Sequence, residues 1–351
     1  MQKEPVVKKE EVKKKPTQEK IKELEAELSK TKYNKRTQFH IGLVKAKISK
    51  LKEKEASRGK GSGVGEGFAV RKTGDATAVL LGLTCIPGLL EYKHAKIQVL
   101  DVPGIVHGAA SGRGRGKEVL QVIRNADMIL IVLDVLHPEH YEAILREVYE
   151  TGVRINQRKP DVKITKTARG GVRVGSTIPL TKIDVPTIQG MARELGINNG
   201  EILVRADITP EQFIDIVEGN KVYIPAITLL NKMDLVDEQT LFNIAESIHP
   251  DLMISAEQKK HLEELKDLIY ERLQLIRIFL KEVNKKPDMD EPLIMRKGST
   301  ITDVCNKLHR DFVTKFKYAR IWGKSAKFEG QQFRRLDHVL QEEDIVEIHL
   351  R

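Results

Sequence analysis

The sequence predicts an α/β protein built on a mostly parallel sheet, with smaller domains attached to it. Four near-continuous apolar runs, at 77–82, 96–101, 128–134 and 223–234, have the composition of strands buried on both faces. Polar or glycine-containing turns follow several of these runs, and α/β sheets bind ligands beyond the carboxyl ends of their strands. The 351 residues are 40% hydrophobic, which suffices for a core divided among about two to four domains.

The net charge of +10 is located at the N-terminus. Residues 1–60 hold nineteen Lys and Arg against nine Glu and no Asp, which accounts for the whole excess. Residues 1–16 therefore predict a basic disordered arm, and an arm that docks on RNA or another polyanion stays open. We expect a cytoplasmic protein without membrane contact, because no signal peptide or bilayer-spanning run is recognisable and the two cysteines, Cys85 and Cys305, lie far apart.

Residues 17–58 predict a helical hairpin that packs on a neighbour. Each of its two helices has one apolar stripe at helical spacing, with Lys and Glu on the other side. The stripes consist of Ile21, Leu24 and Leu28 and of Ile41, Val44, Ile48 and Leu51. The glycine-rich segment 59–72 predicts a flexible linker rather than a phosphate cradle, because no strand precedes it and no apolar helix follows.

The motif "NKMD", Asn231 to Asp234, directly follows an apolar run and has the chemistry of a guanine-binding turn. A carboxylate at Asp234 can accept hydrogen bonds from the N1–H and the exocyclic amine of guanine, an edge that adenine lacks. Asn231 would support the base, and the stem of Lys232 would cover its face. As an isolated tetrapeptide the motif is also an ordinary turn, so its position after a strand is what makes it informative.

Two further strand ends complete the pattern. In "DVPG", Asp101 can hold Mg²⁺ through water and Gly104 lets its N–H approach a phosphate, although a plain Pro-Gly turn is the alternative. In "ISAE", the N–H of Ala256 is placed to meet the guanine carbonyl. The glycine-rich cationic segment "GAASGRGRGKEVL" after DVPG suits a switch that orders around phosphate.

The order strand, DxxG, strand, NKxD, strand, SA is typical of guanine-nucleotide domains. Together with "GEGFAVRKTGDATAVLLG", "VEGNKVYIPAITLLNKMD" and "FKYARIWG", it makes the chain resemble the developmentally regulated GTP-binding proteins, a branch of the Obg-related GTPases, from about Thr17 onward. The resemblance implies a P-loop-NTPase-type G domain in two parts, at 73–152 and 222–286. It also implies an inserted α+β domain at 153–221 that resembles domain 2 of ribosomal protein S5, and a C-terminal β-grasp TGS domain at 287–351.

The resemblance also implies an activity, hydrolysis of GTP to GDP and phosphate, with Mg²⁺ as cofactor, K⁺ as a stimulating ion and slow intrinsic turnover. It implies as partners a DRG family regulatory protein and the ribosome or RNA, in a translation-linked role. Ile105 occupies the position after DVPG, so no glutamine orients the attacking water, and His107 becomes the candidate base. The predicted nucleotide-binding residues are Gly82, Asp101, Val102, Pro103, Gly104, Ile105, Asn231, Lys232, Met233, Asp234, Ser255 and Ala256, with Asp101 also the metal ligand.

One element of the family pattern is missing from the sequence. Relatives have GxxxxGK[ST] directly after the first strand, then a helix and the switch threonines, whereas here Gly82 is followed at once by Leu83 and Thr84. The motif occurs nowhere else in the 351 residues. We therefore predict a G domain without its phosphate loop and first helix, weak or absent GTP binding, and apolar sheet surface uncovered at Val79 and Leu81.

Two origins of the gap stay open at this point. An exon, splice or gene-model defect would mean that the intended protein is a GTPase. A true loss would make the chain a pseudo-GTPase, a non-catalytic scaffold that binds RNA, the ribosome or a regulatory protein through its arm, hairpin and TGS domain. The stretch "VKITKTARGGVRV" of the insertion is predicted to be one basic strand, which can contact RNA or be an ordinary solvated β-face.

Overall fold

A computed structural model describes residues 17–58, 74–81, 88–101 and 122–351. The predicted α/β class with a mostly parallel sheet is confirmed. The helices of six or more residues that lie wholly within these ranges are α1 (Thr17–Lys30), α2 (Gln38–Arg58), α3 (His140–Glu150), α4 (Val185–Glu194), α5 (Pro210–Glu218), α6 (Glu238–Ile248), α7 (Leu262–Arg272), α8 (Ile301–Leu308) and α9 (Arg310–Lys315).

Within the described ranges the strands form four sheets. They are β1 (Ala76–Leu81), β2 (Gly88–Tyr92), β3 (Ala95–Asp101), β4 (Met128–Asp134), β5 (Val153–Ile155), β6 (Val162–Lys166), β7 (Val172–Ser176), β8 (Gly200–Val204), β9 (Val222–Ile224), β10 (Ala226–Asn231), β11 (Leu252–Met253), β12 (Leu275–Leu280), β13 (Asp288–Arg296), β14 (Phe316–Trp322), β15 (Gln331–Phe333) and β16 (Asp344–Leu350).

The largest sheet has the order β11-β10-β4-β1-β3-β2. All neighbouring pairs are parallel except β2 with β3, which is an antiparallel edge pair. The four apolar runs supply its central strands, and helices cover both faces, as continuous apolar runs require. This sheet positions the carboxyl ends of β1, β3, β4 and β10 along one edge.

The expectation that Val79 and Leu81 are uncovered is wrong. Both side chains are fully buried, in a cluster with Ile123, Ile131 and Ile144. Since alternate residues of a strand face opposite sides of a sheet, Val79 and Leu81 face the side that α3 and α6 cover. The alternate residues of β1, such as Ala76 and Ala78, face the side where α7 packs.

The hairpin and the inserted segment form one compact unit, in which residues 17–58 pack with Arg158–Lys221. The two predicted stripes meet: Ile21, Val44 and Ile48 are buried together, with Leu24, Leu28 and Leu51 against them. On its other side α2 contacts α4. A Cβ on Gly42 would lie 2.6 Å from Thr187 Cγ2, so the two helices approach closely because residue 42 has no side chain.

The inserted segment contains a three-stranded sheet of order β6-β8-β7, with α4 and α5 packed on it. The segment "VKITKTARGGVRV" is two strands rather than one, and they lie on opposite sides of β8. The compact insertion begins at Arg158 and not at Val153, because β5 pairs with β9 inside the other unit. Its likeness to the S5 domain stays a prediction.

The C-terminal sheet has the order β13-β12-β16-β14-β15. The predicted boundary at residue 287 is wrong, because β12 (Leu275–Leu280) pairs antiparallel with β13 and parallel with β16. A capping box begins α8: the Thr300 N–H donates to the Asp303 carboxylate at 2.7 Å. Among the described residues, no helix is both long and apolar enough to cross a membrane.

Candidate functional site

The residues that the sequence places at a nucleotide site follow strands that end along one edge of the large sheet. Asn231 of β10 aligns with Asp134 of β4, and Leu80 of β1 aligns with Asp101 of β3. Because neighbouring strands lie about 4.8 Å apart, β10 and β3 are separated by about 14 Å across β4 and β1. An extended ligand can therefore lie across these strand ends, with β1 between its two extremities.

The turn after β10 is organised by the side chain of Asn231. Its Oδ1 accepts hydrogen bonds from the N–H of Lys232 at 2.8 Å and from the N–H of Ala256 at 3.1 Å. Lys232 has a left-handed backbone (φ 63°), unfavourable for a side chain with a Cβ, and a short 3₁₀ turn, Met233–Leu235, follows it. Asn231 thus joins the NKMD turn to the segment after β11.

The ammonium of Lys232 is held by a residue that the motif does not contain. Lys232 Nζ lies 2.7 Å from Asp134 Oδ2, and Asp134 Oδ1 accepts the N–H of Leu136 at 3.0 Å. Burial acts to raise the pKa of Asp134, but the hydrogen bonds from Lys232 and Leu136 outweigh it and hold that pKa below its usual value. The same hydrogen bond raises the pKa of Lys232. Both groups are therefore charged at neutral pH.

Asp234 has an acceptor atom that the described protein leaves unused. Its Oδ1 is buried and has no hydrogen-bond partner in the described part of the chain. A buried carboxylate oxygen without a donor costs about 1–3 kcal/mol or more, and binding sites are where such a cost is tolerated. The chemistry that fits it is a neutral N–H donor from a ligand, such as those on the guanine edge.

The segment after β11 supports this turn from the side. Ser255 is fully buried, and its hydroxyl accepts the N–H of Gln258 at 3.1 Å. The Met233 N–H donates to the Ile254 carbonyl at 3.2 Å. The Ala256 N–H, predicted to meet the guanine carbonyl, donates to Asn231 instead, so a bound base would have to share or replace that bond.

Several predicted site residues lie outside the described residues. These are Gly82, Val102, Pro103, Gly104, Ile105 and the candidate base His107, and of Asp101 only the backbone, at the end of β3, is described. The structure brings together the residues predicted to bind the base, Asn231, Lys232, Met233, Asp234, Ser255 and Ala256. The sequence analysis did not single out Asp134, which pairs with Lys232 of the turn, although its place at the end of the run "MILIVLD" was a signal for it.

The interval between β1 and β2 decides whether a phosphate loop fits there. β1 ends at Leu81 and β2 begins at Gly88, which leaves six residues between them. Since the motif GxxxxGK[ST] alone takes eight residues, it cannot stand between these strands.

The sheet order, the NKMD turn and the unused carboxylate oxygen of Asp234 define a guanine-nucleotide-binding domain of the GTPase class. Models of known families match the chain accordingly: "50S ribosome-binding GTPase" over residues 81–166, the C-terminal region of that domain type over 169–275, and "TGS domain" over 276–350. The TGS match begins at β12, as the five-stranded sheet does.

The chain belongs to the developmentally regulated GTP-binding protein family. It is 47% identical to an uncharacterized GTP-binding protein of Methanocaldococcus jannaschii, with 95% of this chain and 93% of the relative covered. It is 38% identical to the developmentally-regulated GTP-binding protein 1 homolog of Dictyostelium discoideum, with 94% and 98% covered. The alignment with the archaeal relative extends over 365 positions, more than the 351 residues of this chain, so this chain has gaps in it.

Solved structures add little to the family assignment. The G-domain of FeoB from Methanococcus jannaschii is 15% identical, with 56% of this chain and 97% of that chain covered and a TM-score of 0.29. This score is too low to support any argument about the site. The assignment depends on the sequence relatives and on the geometry of the sheet edge.

Proposed function

We propose that this chain recognises the guanine base of GTP but holds the triphosphate weakly, so that hydrolysis of GTP to GDP is impaired. The single observation that carries the proposal is the buried, unpaired Oδ1 of Asp234 in a turn fixed by Asn231. Asp234 would accept the guanine N1–H and amine, and the stem of Lys232, anchored on Asp134, would cover the ring. An adenine base offers neither donor at that place.

The phosphate half of the proposal depends on the short connection after β1. A phosphate loop supplies clustered N–H donors, a helix N-terminus and a lysine, and these groups offset the desolvation of several phosphate charges. Six residues between Leu81 and Gly88 do not contain that set. The base would therefore contribute most of the affinity, and the γ-phosphate would lack donors that stabilise the charge formed during hydrolysis.

The Mg²⁺ that GTPases of this family typically use has one candidate ligand in this chain. Asp101 ends β3 on the edge where the other site residues lie, which is a suitable place for a carboxylate that holds the ion through water. When bound, Mg²⁺ neutralises charge on the phosphate oxygens. In a chain that carries the phosphate loop, we further propose that K⁺ stimulates hydrolysis and that His107 acts as the base.

A second candidate function is a non-catalytic scaffold, a pseudo-GTPase that binds RNA or the ribosome in a translation-linked role, or a DRG family regulatory protein. It is favoured by the exposed cations of the inserted sheet, since Lys163, Lys166, Arg169 and Arg173 are all solvent-accessible. Glu201 of β8 lies between the two flanking strands and reduces the local positive charge. An ordinary solvated β-face is the competing interpretation, and a cytoplasmic location fits both functions.

The affinities of GMP, GDP and GTP measured by calorimetry in the presence of Mg²⁺ test the base-only proposal. In this chain we expect the dissociation constants of GTP and GMP to differ by no more than about threefold, because the additional phosphates find few donors. In a matched chain with a GxxxxGK[ST] loop and its helix inserted after Leu81, GTP should bind at least about a hundredfold more tightly than GMP. Two hydrogen bonds to a charged phosphate suffice for that factor, at about 1.5–3 kcal/mol each.

The control is Asp234→Ala in the unmodified chain. This substitution should lower the affinity for GMP by about tenfold and leave the affinity for AMP unchanged. Tight Mg²⁺-dependent GTP binding by the unmodified chain would show that another set of donors holds the phosphates. For the scaffold, RNA binding that weakens steeply with salt and depends on Lys163 and Arg173 is the expected result.

A further inference from the structure

Three potential metal ligands cluster in the turn between β4 and α3. His137, Glu139 and His140 each present one ligand atom, and these atoms all lie within 4.8 Å of one another. Among the residues that the structure describes, this is the one cluster of three or more His, Cys, Asp or Glu with that spacing. It lies outside the base-binding turn and is not explained by nucleotide recognition.

The turn holds the three side chains on one side. The His140 N–H donates to the His137 carbonyl at 3.3 Å, which closes a four-residue turn with Pro138 at its second position. Proline fixes φ near −65° and favours this kind of turn. The two imidazole rings lie nearly parallel with centroids 5.3 Å apart, so both rings are already on the same side of the turn.

One pair of ligand atoms is already at the separation that a tetrahedral metal requires. His137 Nδ1 lies 3.2 Å from Glu139 Oε1. Metal–ligand bonds of about 2.0–2.2 Å in a tetrahedron place two ligand atoms about 3.4 Å apart. The ligand atom of His140 lies within 4.8 Å of the other two, and none of the three side chains is buried.

The ligand set selects the class of metal. Two imidazoles and one carboxylate suit Zn²⁺, Co²⁺, Ni²⁺ or Cu²⁺, whereas Mg²⁺ prefers oxygen ligands alone. A site with three protein ligands leaves at least one position for water. The turn is also anchored to the candidate nucleotide site, because the His137 N–H donates to the Asp134 carbonyl at 2.9 Å.

We propose that His137, Glu139 and His140 form a binding site for a late first-row divalent metal ion, with Zn²⁺ as the probe that tests it. The site is separate in place and in ligand chemistry from the Mg²⁺ of a GTPase. It does not depend on the integrity of the phosphate half of the nucleotide site.

The test is a Zn²⁺ titration of the full chain, free of any histidine tag, in the presence of excess Mg²⁺. We expect one Zn²⁺ per chain, and at least about tenfold weaker binding in His137→Gln and in His140→Gln. Glu139→Gln should weaken Zn²⁺ binding as well, because it removes the negatively charged ligand. The matched control is His94→Asn, which removes an exposed histidine from another turn and puts in a residue that tolerates the positive φ of that position.

A second readout uses Co²⁺, whose visible absorption reports its ligands directly. The Co²⁺ spectrum of the wild type should be lost in the double variant His137→Gln/His140→Gln and kept in His94→Asn. Circular dichroism of each variant establishes that the fold is intact. If Zn²⁺ binds equally well to wild type and double variant, or binds to neither, the proposed site does not exist.

Discussion

Lys232 Nζ lies 2.7 Å from Asp134 Oδ2, so the lysine of the NKMD turn is held by the last residue of the neighbouring strand. The pair joins β10 to β4 at the carboxyl edge of the sheet. It fixes where the lysine stem lies before any base arrives. The ammonium of Lys232 thus crosslinks two strand ends, while its stem is the part predicted to cover a base.

Asp134→Asn should destabilise the protein by about 1 kcal/mol or less at pH 7, since Lys232 is half exposed and surface ion pairs contribute little. Because the folded pKa of Asp134 is lowered, its contribution is present above the unfolded pKa and is lost as pH falls through the folded one. The difference between variant and wild type should therefore shrink below about pH 3.9. Urea unfolding at neutral and acid pH measures it.

The control for that substitution is Glu263→Gln, which breaks an exposed ion pair with Lys266 one helical turn away. It should change the free energy of unfolding by no more than a few tenths of a kcal/mol. If the loss of unfolding free energy caused by Asp134→Asn grew toward acid pH, the pKa of Asp134 would not be lowered in the folded protein.

Asp234→Asn should move the base preference of the chain from guanine to xanthine by about tenfold. The asparagine amide can donate to the 2-carbonyl of xanthine but can no longer accept from the 2-amine of guanine. Competition between GMP and XMP, followed by calorimetry, measures the change. Asp237→Asn is the matched control, since Asp237 caps α6 and asparagine is an equally good cap.

Gly42→Val should destabilise the hairpin unit by about 1–3 kcal/mol, because a Cβ at that position meets Thr187 Cγ2 at 2.6 Å. Thermal unfolding of the full chain measures it. Gly175→Val is the control within the same unit, since a Cβ there has its nearest neighbour at 3.8 Å. Equal effects of the two substitutions would mean that α2 and α4 do not pack as closely as described.

Cys305 should react with thiol reagents only when the TGS domain unfolds. The thiol is fully buried, and burial raises its pKa to about 11, so almost no thiolate exists at pH 8. With Cys85 replaced by serine, labelling by an aromatic disulfide should follow the unfolding rate as urea is increased. Fast labelling in buffer would show that this domain opens locally.

The apolar runs were enough to predict the sheet, because strands such as β1 and β4 are buried on both faces and contain almost no polar residues. The same property explains the error at Val79 and Leu81: a run that is apolar on both faces does not say which side a given helix covers. The strand β12 was assigned to the wrong domain, because the apolar pattern of "LIRIFL" is compatible with a strand of the parallel sheet and with a strand of the β-grasp sheet.

Of the site, the turn after β10 was predictable from its motif at the end of an apolar run, whereas the binding of guanine by Asn231, Lys232 and Asp234 stays a prediction. The bond from Ala256 to Asn231 and the anchoring of Lys232 on Asp134 were not predictable, because they depend on which strands become neighbours. A metal site at His137 and His140 was not predictable from the sequence for a related reason. Their spacing means little until a proline turn brings the rings together.

The strand order has a consequence for how this family can vary. β1 and β2 lie on either side of β3, and each of them pairs with β3 rather than with the other. Residues inserted directly after Leu81 would therefore interrupt no ladder of this sheet, so chains of this family with connections of different length can share one strand order.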